Sequence, residues 1–198
     1  MSLEQAGSFL VFSLIAAITP GPSNVMLTAA GASGGVVRGL PCLLGVAAGM
    51  GSLLFCVALG VGEMVLDRPA ILRVLNWVGA AFLLWLSWRI AIAEPVFNDG
   101  GGKPPGFMGA ALFQWVNPKS WLVGVSAAGT YLIAGAGSAL PQAIAFALIF
   151  VLAALPSGFI WLAFGAAMHR LLQGTRTARI FNGIMGASLA ASVAMILW

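Results

Sequence analysis

Long uncharged stretches dominate this chain. Between Glu4 and Arg38 there is no Asp, Glu, Lys, Arg or His, and the same holds from 39 to 62, 74 to 88, 104 to 118, 120 to 168 and 180 to 198. A helix needs about 20 mostly apolar residues to cross the hydrocarbon of a bilayer. With turn signals as punctuation, these windows predict six spans, at about 6–33, 40–62, 70–92, 106–134, 139–167 and 178–198. The window from 120 to 168 is too long for one helix, and Gly135-Ala136-Gly137-Ser138 followed by Pro141 divides it. The first span does not read as a cleaved signal peptide, because Glu4 replaces the positive n-region and the apolar run continues through Pro20.

Composition agrees with the pattern. Of 198 residues, 61% are apolar and 7% charged, against roughly 45–50% and 25% in a soluble domain. The nine Lys and Arg and five Asp and Glu cannot cover a protein this size, so its solvent is lipid. The net charge of +4 is scattered between apolar runs, which excludes a nucleic-acid surface. Cys42 and Cys56 lie fourteen residues apart in one apolar stretch, about 21 Å along a helix, too far for a disulfide. No Cys/His cluster has metal spacing, and no cofactor is expected.

The basic residues instead report orientation. Arg38, Arg89, Lys103, Arg170, Arg176 and Arg179 follow helices one, three and five, while only Arg68 and Arg73 lie on the other side. The odd-numbered connections are therefore expected in the cytoplasm and both termini outside. His169, beside Arg170, reads as an interfacial residue.

The two halves resemble each other. Arg73-Val74-Leu75-Asn76 recurs as Arg179-Ile180-Phe181-Asn182, Leu40-Pro41 as Leu140-Pro141, and Pro20 as Pro118, with offsets of 106, 100 and 98. Three ordered anchors predict a duplicated three-helix unit, residues 1–98 and 99–198, in a single membrane domain. Three is odd, so the second unit enters the membrane inverted. Transporters built this way bind substrate near the midplane, commonly where corresponding helices are broken.

Both first helices carry such a break. Thr19-Pro20-Gly21-Pro22-Ser23-Asn24 interrupts helix one and Asn117-Pro118-Lys119-Ser120 interrupts helix four. Proline removes a backbone donor and clashes with the preceding turn, freeing carbonyls before the break and N–H groups after it. The N–H groups after Pro22, with the Ser23 and Asn24 side chains, suit a carboxylate. A simple packed kink is the bland alternative. Lys119 is the one charge deep in a predicted span, either a ligand for substrate or an interfacial residue if helix four starts near 117. Thr19, Pro20, Gly21, Pro22, Ser23, Asn24, Asn117, Pro118 and Lys119 are thus the candidate site. Gly45 and Gly49 read as a close-packing face.

These motifs, with the Gly35 to Gly39 turn around Arg38 and Gly79-Ala80-Ala81-Phe82-Leu83-Leu84-Trp85-Leu86, resemble the lysine exporter and homoserine/threonine resistance family of bacterial amino-acid exporters. They run in the family's order over nearly the whole chain. The resemblance implies six membrane helices, amino-acid efflux across the bacterial inner membrane and coupling to the proton gradient. Many members carry an acid after the second glycine of the helix-two motif, whereas Met50 follows Gly49 here. Glu4, Glu63, Asp67, Glu94 and Asp99 all lie in loops or at helix ends, which disfavours a strongly cationic substrate.

The expected protein is an all-α exporter of a neutral amino acid or derivative, working by alternating access, with proton coupling and no nucleic-acid partner. A homodimer is compatible with the glycine faces and not required by them. Export of an inorganic ion or toxic amphiphile is the alternative. An intramembrane serine protease is discounted, since Ser157 and His169, twelve residues apart, sit about 18 Å apart along one helix.

Overall fold

The computed structural model describes residues 1–61, 68–92, 106–132, 139–171 and 175–197. Among these the secondary structure is helical throughout, in seven α-helices and one short π-turn. Gly135-Ala136-Gly137-Ser138, Glu63, Asp67, Glu94, Asp99, Lys103 and Trp198 lie outside the described residues, as do the side chains of Asn76, Arg89, His169 and Arg170.

Helix α1 (Leu3–Ile18) starts with a capping box in which the Ser2 hydroxyl accepts the Gln5 N–H and the Gln5 side chain accepts the Ser2 N–H. It stops before Pro20, whose ring pushes Thr19 into an extended conformation, φ −60° and ψ 128°. Helix α2 (Pro22–Cys56) begins with proline at its first position, where the missing N–H costs nothing. It is two helices joined at Gly35, with φ 72° and ψ 179°. Gly158 faces both Leu27 and Leu43, and Leu162 faces both Gly31 and Gly39. Each pair straddles Gly35 symmetrically, so the arms fold back beside one another. A π-turn (Val57–Val61) ends the second arm.

The Gly35 backbone lies in a region that is essentially glycine-only and costs other residues about 1–3 kcal/mol. A Cβ there meets nothing within 4 Å. Gly35→Ala is therefore expected to lower unfolding stability by about 1–3 kcal/mol through the backbone alone, a shift readable by thermal denaturation in detergent.

The remaining helices are α3 (Pro69–Ala91), α4 (Phe107–Val116), α5 (Pro118–Tyr131), α6 (Ala139–Leu171) and α7 (Thr175–Leu197). Helices occupy all six predicted spans, with the first and fourth interrupted where the prolines stand. The hairpin wraps α6, and glycines allow backbone-to-backbone approach. A Cβ on Gly31 collides with the Leu162 carbonyl, and one on Gly165 with the Thr28 carbonyl. Gly45 and Gly49 make the same kind of contact with Phe107 and Ala111 of α4, as their spacing predicts. Helices α3 and α7 pair through a 2.7 Å bond from Ser87 Oγ to the Gly186 carbonyl.

The outside of the bundle is apolar. Val74, Trp77, Val78, Leu84, Trp85 and Trp88 expose a helical stripe on α3, and Leu140, Ile144, Leu148 and Leu152 do so on α6. By length and apolarity alone, Pro22–Val61 and Ala139–Met168 are the described stretches sufficient to cross a membrane, the first containing both hairpin arms.

Candidate functional site

The two breaks meet at a small cavity in the middle of the bundle. Gly21, Ser23, Asn24, Gln114, Asn117, Lys119 and Ser120 form its polar wall; Leu27, Val46, Met50, Phe150 and Ala154 are prominent on its apolar side. Five of the nine predicted site residues thus line it. Thr19 and Pro20 contribute backbone carbonyls just outside, while Pro22 and Pro118 are buried first residues of α2 and α5. Two positive helix ends, the N-termini of α2 and α5, are brought to the same place as two negative ones, the C-termini of α1 and α4.

The end of α1 is capped entirely by side chains and its own last turn. Ile15 O accepts the Thr19 N–H at 3.0 Å and the Thr19 hydroxyl at 2.6 Å. Asn24 Nδ2 donates to Ala17 O at 3.1 Å and Thr19 O at 2.8 Å, and Trp161 Nε1 to Ile18 O at 3.1 Å. The Asn24 amide therefore holds the break together as well as lining the cavity. The end of α4 is treated alike, with Trp121 Nε1 donating to Trp115 O at 2.8 Å.

A second network joins the halves. Ser23 Oγ donates to Gln114 Oε1 at 2.9 Å, and Ser120 Oγ donates to the same oxygen at 3.0 Å. Asn117 Nδ2 donates to Ser23 Oγ at 3.2 Å, while Asn117 Oδ1 caps α5 by accepting the Lys119 N–H at 3.1 Å. Gln114 Nε2 is held by Ala110 O at 3.1 Å, which fixes which way its oxygen points. Gln114, fully buried, is the site residue that the sequence reading missed. Its only signal is being the one side-chain amide of the apolar run from 106 to 116.

Lys119 lies just after the break, in the first turn of α5, with helix α4 preceding it. A lysine there faces the positive end of its own helix. Its ammonium crosses to the negative end of α1 instead, donating to Thr19 O at 2.6 Å and Pro20 O at 3.3 Å. Gly21 makes the room, since a Cβ there stands 2.8 Å from Lys119 Cδ and 2.9 Å from Nζ. Among the described residues no Asp or Glu lines the cavity. Ser157 is buried on α6.

A helical bundle with an apolar exterior and two broken helices meeting at a polar cavity defines a membrane translocator. The sequence profile of the LysE type translocator family matches residues 14–197, and the chain belongs to that family. It is accordingly a membrane protein and a translocator, not an enzyme. Among curated relatives, a cysteine/O-acetylserine efflux protein of Klebsiella pneumoniae is 37% identical over 134 residues, covering 67% of this chain and 68% of the relative. The protein of that description from Salmonella typhimurium is 35% identical over 127 residues, 64% of this chain and 65% of the relative. That from Escherichia coli K12 is 34% identical over 135 residues, 67% and 68% of the two chains. No solved structure matches the chain.

Proposed function

We propose that the protein exports a small neutral amino acid of the cysteine and O-acetylserine class across the bacterial inner membrane. The observation that carries this reading is the cavity itself, one ammonium and a set of amides and hydroxyls with, among the described residues, no carboxylate in its wall. Such a wall suits a zwitterion with a short uncharged side chain and offers a second ammonium, as in lysine, no counter-charge. The efflux relatives support the same substrate class. The substrate carboxylate is assigned to Lys119 and the polar wall around Ser23.

Transport runs by alternating access between two inverted repeats, 1–98 and 99–198, crossing the membrane six times with both termini outside. Packing supports the pseudo-symmetry. Helix α1 lies against α6 and α4 against the second arm of α2, so each broken first helix leans on the second helix of the other repeat, while the two third helices, α3 and α7, pair together. Influx of protons is the expected driving force.

Counterflow in proteoliposomes tests the reading. The parent is expected to exchange labelled O-acetylserine and cysteine and to ignore lysine, and Lys119→Ala and Asn24→Ala are expected to lose exchange while remaining folded. Failure of the parent to exchange any amino acid under any imposed gradient sinks the proposal.

A further inference from the structure

We infer that the carbonyls of Thr19 and Pro20 are the subsite for the substrate's α-ammonium group, and that Lys119 occupies it whenever the carrier is empty. The inference rests on the exporter reading above and adds a second, opposite-handed half to the carboxylate site assigned there.

The geometry is that of a cation site filled by the protein itself. Thr19 O and Pro20 O lie at the negative end of α1, where proline leaves carbonyls without helical donors. Lys119 Nζ sits on both, at 2.6 and 3.3 Å, from the other break a hundred residues away. The glycine at 21 lets the lysine stem lie flat against the turn. Two other acceptors in the wall are committed: Gln114 Oε1 takes two hydroxyl protons and Asn117 Oδ1 takes the Lys119 N–H.

An arriving zwitterion brings one ammonium and one carboxylate. If Lys119 turned to the carboxylate with nothing replacing it, Pro20 O would lose its donor and Thr19 O would keep only the Asn24 amide. If it stayed, the incoming ammonium would lack a comparable pair of acceptors. An exchange solves both problems, because the substrate ammonium takes the carbonyls as the lysine swings on its flexible four-carbon stem to the carboxylate. Every charge has a partner before and after, and no proton moves. Among the described residues no charged side chain besides Lys119 lines the cavity. Glu4 at the far end of α1 and Arg38 beyond the Gly35 turn are the other charges on α1 and α2; α4 and α5 carry none but Lys119, and those of α6, His169 and Arg170, stand at its distant C-terminal end.

The chain contains two lysines, Lys103 and Lys119, which makes the swap directly observable. In Lys103→Arg protein labelled with nitrogen-15 at lysine Nζ, the Lys119 ammonium resonance is expected to shift on adding cysteine or O-acetylserine. It should stay in place with 3-mercaptopropionate, which lacks the ammonium. In counterflow, 3-mercaptopropionate and cysteamine, each carrying only one of the two charged groups, are expected to compete at least about tenfold more weakly than cysteine. Lys119→Met removes the ammonium from both carbonyls and is expected to bind cysteamine more tightly than the parent does. Equal competition by 3-mercaptopropionate and cysteine, or an unmoved Lys119 resonance in protein that exchanges cysteine, overturns the swap and leaves the exporter reading standing. Absence of any amino-acid exchange by the parent overturns both.

Discussion

Replacing Gly165 by leucine is expected to leave almost no folded protein. A Cβ at this position collides with the carbonyl of Thr28, and both partners are main chain, so no rotamer change relieves the contact. Ordinary overpacking of a core costs about 1–3 kcal/mol. Here the whole helix must retreat. Leu27, Leu43 and Leu162, buried in the same seam, lose their contacts together, because Gly31, Gly39 and Gly158 are closed by those leucines or by the helix that carries them. The measurement is the fraction of detergent-extracted protein that elutes as a monodisperse peak, and its thermal midpoint. Gly129→Leu serves as the control, since a Cβ on Gly129 meets nothing within 4 Å. If the two variants melt alike, the close crossing of α2 and α6 does not govern stability.

The second large effect is on transport. Gln114→Leu keeps the volume of a fully buried side chain but removes the oxygen that receives the Ser23 and Ser120 hydroxyls. Each donor left without a partner costs about 1–3 kcal/mol, and both stand at the seam between the two halves. Exchange is expected to fall by at least about tenfold, since the cost of a single unpaired group already corresponds to a factor of that order. Adding Ser120→Ala should restore part of the lost stability, because removing both members of a hydrogen bond is far less costly than removing one, whereas Ser23 must stay as the acceptor of the Asn117 amide. Exchange should not recover, as the polar wall still lacks the Gln114 oxygen. A Gln114→Leu protein that transports like the parent would show that the network only packs the bundle.

How much of this was legible beforehand depends on the range of each signal. Proline acts on its own turn, so Pro20, Pro22 and Pro118 announced both breaks from local sequence. Gly45 and Gly49 repeat at one helical turn, and that period predicted the tight contact with α4. The roles of the polar groups were less accessible. Asn24 offered itself as a ligand, yet its amide faces carbonyls five and seven residues back, a relation that exists only once the chain bends at Gly21. Lys119 finds its acceptors a hundred residues away, and no spacing rule connects them. Gln114 sits alone in an apolar helix with no periodic partner, so nothing in the pattern separates it from a surface amide. The family resemblance carried what the residues could not, namely that the chain is a translocator.

The glycine seams divide the molecule mechanically. Helix α6, both arms of α2 and α4 are interlocked main chain against main chain and form a stiff frame. Helix α1 has no such seam; a Cβ on its one glycine, Gly7, meets nothing. It is held instead by the tips of side chains, with the Phe9 ring stacked 4.1 Å from that of Phe146 and the Asn24, Trp161 and Lys119 donors clipped to its last carbonyls. Tips can let go one at a time, whereas interlocked backbones cannot. The non-helical turn at Thr19 to Gly21 is where such a body would hinge, with α1 as its lever. On the proposed reading of the site, the latch at the lever's end is made of the groups that handle the cargo, which makes loading the carrier and unlatching it one event.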